Sequence, residues 1–132
     1  MATITRFEDL EIWQLARDYC RKIYPLTCTP LFAKDFKLKD QLNGSSGSVM
    51  DNIAEGFERG GKVEFMQFLS IVKGSCGESR SQLYRAYDRE YIDKETLDEL
   101  VNISNLIADK TGRFIQYLNN TEHKGIKFKD RK

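Results

Sequence analysis

Three glutamates near the middle of the chain are the residues best suited to metal binding or acid–base chemistry. Glu55 lies near the end of one predicted helix, and Glu64 and Glu78 lie on the next. A di-iron site in a helical bundle would also need a Glu-x-x-His motif on two helices. The sole histidine, His123, follows the last predicted helix. We therefore expect no metal, no cofactor and no catalytic residue. Instead, we expect polar groups of this hairpin to hydrogen-bond between helices or to pair with arginines such as Arg59 or Arg80; these groups are Asn52, Glu55, Ser75 and Glu78.

The three cysteines do not have a catalytic pattern. Cys20, Cys28 and Cys76 are odd in number and lack Cys-x-x-Cys spacing, so neither a disulfide framework nor a zinc site is expected. No histidine within the predicted helices could activate a thiol or a serine as a base. The glycines do not form a phosphate-binding loop. We expect reduced thiols in a cytoplasmic protein that is not an enzyme.

Neither the N-terminal residues nor any apolar run indicates a membrane protein. The first 13 residues lack the pattern of a secretory signal. No apolar run approaches the ~20 residues that a bilayer-spanning helix needs. The sequence therefore predicts no membrane partner.

Arginines alternate with tyrosines toward the end of the third predicted helix. The cluster contains Arg80, Tyr84, Arg85, Tyr87, Arg89 and Tyr91. Arginine contacts phosphates and tyrosine stacks on bases, so this composition is suited to nucleic acid. A structural explanation also fits, because arginine near a helix C-terminus suits the helix dipole and tyrosine rings there can pack in the core. Both explanations stay open, and the three arginines are candidate nucleic-acid contacts.

A second candidate nucleic-acid contact is the C-terminal segment. Its cations are Lys124, Lys127, Lys129, Arg131 and Lys132. With one aspartate this tail has a net charge of +4, which leaves −3 for the rest of a chain whose formal charge is +1. The body is thus not a basic nucleic-acid surface by composition, and the tail is either a phosphate contact or a solvated end.

The first predicted helix has a wide apolar stripe. Thr5 and Glu8 have the spacing of a capping box, which predicts a helix start between Thr5 and Asp9. Pro25 lacks an amide hydrogen, so the helix should kink or end near Tyr24. Its apolar positions form two adjoining rows, one of Ile12, Leu15, Tyr19 and Ile23 and one of Trp13, Ala16, Cys20 and Tyr24. So wide a stripe indicates more than one packing neighbour.

The second predicted helix starts between Lys34 and Phe36 and runs to about Glu58. Its apolar row contains Leu38, Leu42, Ser46, Val49, Ile53 and Phe57. These spacings of three and four continue through the Gly- and Ser-rich residues 43–48, so we assign that segment to the helix despite its loop-like composition.

Two further helices complete the pattern. The third follows Gly60-Gly61, and its core row is predicted to contain Phe65, Phe68, Val72, Cys76, Ser79, Leu83 and Ala86. The fourth has Asp93 as its N-cap, a sustained heptad seam from Leu97 to Leu118, and an end at Asn119-Asn120. Four long helices with short connections predict an all-α, up-down-up-down four-helix bundle over residues 1–120, followed by a flexible tail over residues 121–132.

Glycines occupy the interiors of the second and third helices. Gly44, Gly47, Gly74 and Gly77 each cost roughly 1 kcal/mol relative to alanine, about 4 kcal/mol together. We expect the close approach of another helix, from the same chain or from a second copy, to offset this cost.

Several motifs occur together along the chain. They are Phe7-Glu8-Asp9-Leu10 with Trp13, then Asn52-Ile53-Ala54-Glu55-Gly56, and then Glu64-Phe65, Phe68-Leu69, Gly74-Ser75 and Glu78. With them the chain resembles the 23S ribosomal RNA intervening-sequence protein family, small bacterial four-helix bundle proteins, over nearly all of its length up to Leu118. The resemblance marks as structural positions Asn52, Glu55, Gly56, Glu64, Phe68, Gly74, Ser75 and Glu78.

The resemblance implies a bundle that assembles as a homopentamer without known catalysis. The accessory variability determinant of diversity-generating retroelements is similar in fold, and it binds nucleic acid and a reverse transcriptase. This likeness implies RNA or DNA as a partner.

These observations favour a non-enzymatic, oligomeric helical bundle that binds nucleic acid or a nucleoprotein. The alternative is a protein–protein interaction adaptor or scaffold that does not bind nucleic acid. A third hypothesis is an enzyme that acts through the region of Glu55, Glu64 and Glu78.

Overall fold

The computed structural model describes residues 4–121, which form an all-helical structure. A single 3-10 turn over Phe7–Asp9 precedes the first α-helix. The α-helices are α1 (Glu11–Thr27), α2 (Pro30–Lys34), α3 (Phe36–Glu58), α4 (Lys62–Asp88) and α5 (Lys94–Asn119). The four long helices match the four that the apolar spacing predicts.

The long helices form a closed ring of neighbours. α1 packs between α3 and α5, and α4 packs between the same two helices on the opposite side. The α3–α4 pair runs antiparallel, since Ser45 contacts Gln82 near one end and Gly56 lies against Phe68 near the other. The predicted four-helix bundle is confirmed, and the edge between α1 and α3 lies opposite the edge between α4 and α5.

The core is built from the predicted rows. In α3, the positions from Leu38 to Phe57 that repeat every three or four residues are fully or almost fully buried. In α4, the row from Phe65 to Ala86 is buried except at Phe68, which is partly exposed. Continuous burial along each row explains why the helical register survives the glycines and serines of residues 43–48.

The predicted start of the first helix is wrong. Thr5 caps nothing, and α1 begins at Glu11 after the 3-10 turn. The carboxylate of Glu8 lies near Arg6 instead of returning to a helix N-terminus. Phe7 packs edge-on against Trp13, with ring centroids 5.2 Å apart, and Leu10 is buried. Packing of these apolar residues therefore outweighs the local capping pattern.

The connection after α1 contains an element that the sequence did not reveal. α1 continues through Pro25 and ends at Thr27, three residues beyond Tyr24. Pro30 then occupies the first position of the short helix α2, where a missing amide hydrogen costs no hydrogen bond. Phe32 of this helix is buried and stacks on Tyr91, with centroids 5.0 Å apart. One aromatic contact thus holds the connection on the bundle.

The other helix ends follow local chemistry. Asp35 caps α3 by accepting from the backbone N–H of Leu38 at 3.2 Å. Asp93 caps α5 by accepting from the N–H of Thr96 at 2.8 Å, which confirms the predicted N-cap.

In the part of the chain that the structure describes, no helix is both long and apolar enough to cross a bilayer.

Candidate binding surfaces

A line of polar side chains joins α3 to α4. The Ser45 hydroxyl donates to Oε1 of Gln82 at 2.5 Å, and the hydroxyl oxygens of Ser48 and Ser75 lie 2.9 Å apart. Asn52 donates from Nδ2 to Oγ of Ser48 at 2.8 Å. Because Ser45, Ser75 and Gln82 are buried, these hydrogen bonds fix the register of the two helices. The polar seam therefore serves the fold of the hairpin.

Gly56 marks the closest approach of α3 and α4. A Cβ at this position would lie 2.5 Å from Cβ of Phe68 and 3.1 Å from Cδ1 of Phe65. Both distances are shorter than an ordinary carbon–carbon contact. The Phe68 atom is next to the backbone, so it cannot move without moving α4. Any side chain at position 56 would therefore force α3 and α4 apart.

The three central glutamates do not form one cluster. Glu55 forms a 2.8 Å ion pair with Arg59, as expected. Glu78 accepts from Nε2 of Gln82 at 3.4 Å and does not pair with Arg80, so that expected pairing is wrong. Glu64 lies exposed in the first turn of α4. Within residues 4–121, no three His, Cys, Asp or Glu side chains are grouped so that they could hold a metal ion. The three glutamates therefore lie on one helical hairpin but do not form a common site.

The three candidate arginines of α4 and its C-terminal turn have partners within the chain. They donate from Arg80 to the Ser104 hydroxyl (3.1 Å), from Arg85 to the Gln41 side chain (3.2 Å) and from Arg89 to the Asp35 carboxylate (2.6 Å). An arginine has five N–H donors, so each could still contact a phosphate through its remaining groups. The structure thus places these arginines on the bundle with one donor already occupied in each.

Arg80 belongs to a buried network that joins three helices. The hydroxyl oxygens of Tyr19 and Ser79 lie 2.7 Å apart, and the Ser104 hydroxyl donates to the Cys76 carbonyl at 3.1 Å. Burial raises the pKa of the Tyr19 hydroxyl to about 12 and that of the Cys76 thiol to about 11. Both groups are therefore protonated at neutral pH, and a buried protonated thiol is a poor nucleophile.

An added Cβ at any of the four interior glycines of α3 and α4 would contact no other described helix. A Cβ on Gly44, Gly47 or Gly74 would have no neighbouring atom within 4 Å beyond its own helical turn. At Gly77 it would meet only the end of the Arg80 side chain, at 3.6 Å. Close packing within the chain, one of the two predicted explanations, is therefore wrong for these four positions. We call the surface that they form the glycine face.

A groove of about 660 Å³ lies between α1 and α3. Its lining residues are Arg17, Cys20, Arg21, Tyr24, Pro25 and Met50. Arg17 and Arg21 are exposed and form no ion pair with any residue of 4–121. The guanidinium of Arg17 lies over the Trp13 ring, 5.8 Å from its centroid. We call this feature the α1–α3 groove.

The chemistry of the groove is cationic and partly apolar. Tyr24 is 58% exposed, so the prediction that the packed apolar stripe of the first helix includes it is wrong. Burial raises the pKa of the Cys20 thiol to about 11, and this thiol donates to the Ser46 carbonyl at 3.2 Å. The thiol is therefore neutral at physiological pH and adds no negative charge beside the two arginines.

The sequence held a signal for this groove. Trp13, Arg17 and Arg21 repeat every four residues, and Tyr24 follows after three more, which puts all four on adjoining positions of one helix face. The placement of Trp13 and Tyr24 on an apolar stripe hides this pattern, because the stripe is expected to pack against other helices.

Two large apolar side chains are exposed around α2. Leu31 is 61% exposed, and Phe36, at the start of α3, is 74% exposed.

The cationic residues of the predicted tail, from Lys124 to Lys132, lie outside the described residues.

The comparisons with known proteins agree with this fold. A family model described as 23S rRNA-intervening sequence protein matches residues 8–113. A solved structure of a protein of unknown function, from the S23 ribosomal protein family of Bacteroides thetaiotaomicron, is similar in fold. It has a TM-score of 0.73 and 21% sequence identity, and the match covers 80% of this chain and 98% of that one. We found no match among curated proteins. The motifs, the four-helix bundle and the family match show that this chain belongs to the 23S rRNA-intervening sequence protein family.

Proposed function

We propose that this protein is a non-enzymatic, homo-oligomeric helical bundle that binds nucleic acid or a nucleoprotein. The observation that carries the proposal is the open glycine face. Four glycines together cost the two helices about 4 kcal/mol, and no contact within the described chain requires any of them. A second copy packed on this face would make use of the absent side chains, and the family resemblance favours a ring of five.

Assembly connects the glycine face to nucleic-acid binding. A single tail of charge +4 is a weak contact by itself, whereas five copies in one ring would carry +20. Linked weak contacts raise the overall affinity because each later contact forms at a high effective concentration.

Fluorescence anisotropy with labelled, mixed-sequence RNA and DNA tests the proposal. We would compare the intact protein with a version that ends at Asn120, and with an intact version whose tail lysines are replaced by glutamine. Binding to the intact protein should weaken linearly with the logarithm of salt concentration, with a slope of about −0.7 to −0.9 per phosphate contact.

The variants locate the contact. Loss of binding in both the shortened and the glutamine versions would assign it to the charge of the tail, and retention in both would assign it to the bundle. The absence of binding by the intact protein at low salt would contradict the nucleic-acid function.

A second candidate function is a protein–protein adaptor. The exposure of Leu31 and Phe36 favours it, because two large apolar side chains near each other in sequence can anchor a protein partner. If the intact protein binds no nucleic acid, replacing both residues by serine and measuring which partner proteins are lost becomes the decisive experiment.

A further inference from the structure

We propose that the α1–α3 groove binds single-stranded nucleic acid, with phosphates on Arg17 and Arg21 and a base stacked on Tyr24. This inference rests on the proposed function and specifies a site and a substrate class for it. The site is distinct from the arginines of α4 and from the tail.

Charge complementarity is the first argument. Arg17 and Arg21 lie one helical turn apart, so their Cβ atoms are about 5–6 Å from each other. Glu8 and Asp18 lie on the adjoining surface with them, yet neither guanidinium pairs with a carboxylate of residues 4–121. Two unpaired guanidiniums, each with a planar set of five donors, are suited to the oxygens of neighbouring phosphates.

The aromatic wall is the second argument. Tyr24 follows Arg21 by three residues and exposes more than half of its surface beside the groove. Pro25 and the partly buried Met50 supply apolar surface next to the ring. Stacking on an aromatic side chain requires an unpaired base, since bases in a duplex already stack on each other. The groove therefore favours a single strand over a duplex.

A comparison with the opposite edge of the bundle supports the choice of groove. The groove between α4 and α5 also carries two cations, Lys73 and Arg113. It contains Asp109 as well, and no aromatic side chain lines it. Neither Lys73 nor Arg113 forms an ion pair within residues 4–121, so both grooves offer unpaired cations, and Asp51 lies near Cys20 of the α1–α3 groove. The exposed ring of Tyr24 is the feature that distinguishes a base-stacking site from a merely cationic surface.

The first test removes the phosphate contacts and leaves the tail intact. We would titrate labelled oligo(U) and oligo(dT) with the full chain and with the double variant Arg17→Gln/Arg21→Gln. The salt slope should fall by at least about 1.4, because each single-strand phosphate contact contributes about 0.7. The matched control, Lys73→Gln/Arg113→Gln, removes the same charge from the opposite edge and should keep the wild-type slope.

The second test separates stacking from charge. Tyr24→Ala should weaken oligo(U) binding by between about 5- and 150-fold, the range for loss of one base–aromatic stack. Tyr24→Phe keeps the ring and should bind as the wild type does. All five altered residues are exposed, so unchanged melting temperatures would show that the variants are folded.

The outcomes distinguish this inference from the proposed function. If the wild type binds nucleic acid and both the Arg17/Arg21 and Tyr24→Ala variants bind equally well, the groove is not the site although the function stands. Equal affinity for a duplex of the same length, or for oligoglutamate of the same charge, would also overturn the assignment to single strands. If the wild type binds no nucleic acid, the proposed function fails and the inference fails with it.

Discussion

Replacing Gly56 by alanine should destabilise the protein, although alanine is the better helix former. The added methyl group would lie 2.5 Å from Cβ of Phe68, so α3 and α4 must separate by about 1 Å to reach ordinary van der Waals contact. Overpacking of this kind costs about 1–3 kcal/mol, and we place Gly56→Ala in the upper half of that range because the obstructing atom adjoins the backbone. The gain in helix propensity returns about 1 kcal/mol. The net loss should be about 1–2 kcal/mol.

Urea denaturation followed by circular dichroism measures this loss. A fall in the midpoint with an unchanged m-value would report a change in stability alone. The matching thermal shift is about 3–10 °C for a domain of this size.

Gly112→Ala is the matched control. Position 112 also lies inside a long helix, but the nearest atom to an added Cβ would be Nζ of Lys73 at 3.7 Å, an ordinary contact with a flexible side chain. This variant should be stabilised by up to about 1 kcal/mol. The reasoning is refuted if Gly56→Ala unfolds at or above the wild-type midpoint, or if Gly112→Ala loses as much stability.

Two further predictions concern buried and capping groups. The folded state raises the pKa of Tyr19 to about 12 from an ordinary value near 10, so its contribution to stability is complete below pH 10 and is lost as pH rises toward 12. Tyr19→Phe should therefore lose less stability than the wild type over that interval in urea melts at stepped pH. Asp35 accepts hydrogen bonds from the Leu38 amide, Arg89 and Tyr91, so Asp35→Ala should cost about 1–2 kcal/mol. Asp35→Asn, which preserves the cap but removes the charge, should lose less, and equal losses in the two variants would contradict the contribution of the cap.

The long helices could be predicted because burial leaves a periodic record in the sequence. The row from Leu97 to Leu118 in α5 keeps its spacing over six turns, and every position that faces the core must be apolar or small. The same periodicity continues through residues 43–48 of α3, which are rich in Gly and Ser. Composition alone would predict a loop there, whereas the regular spacing of the buried positions predicts one continuous helix.

The short elements could not be predicted from the sequence because contacts with distant residues stabilise them. The five residues of α2 are too few to show a helical period, and Phe32 is held by Tyr91, which lies far along the chain. The capping pattern of Thr5 and Glu8 failed for the same reason. Local spacing suggested a helix start, and the packing of Phe7 against Trp13 placed the chain in a different turn.

The candidate surfaces could be predicted only in part. Residue types identified arginines that suit phosphate, but they did not show that Arg89 pairs with Asp35 or that Arg80 joins a buried network. Conversely, residue types alone do not distinguish Arg17 and Arg21 from other helix-surface arginines, because the exposure of Tyr24 beside them follows from the packing. The partners of a long cationic side chain depend on which helices meet, and a single sequence does not specify this.

The mass of the protein in solution tests the central claim most directly. We would measure it by sedimentation equilibrium for the wild type, for Gly74→Leu on the glycine face, and for Asn105→Leu at an exposed position of α5. Gly74 has open space within its own chain, so the leucine variant should keep its helical spectrum. The account predicts a wild-type and Asn105→Leu mass of several times 15.3 kDa, five times for the ring, and a lower mass for Gly74→Leu. A monomeric wild type, or an unchanged mass in Gly74→Leu, would contradict it.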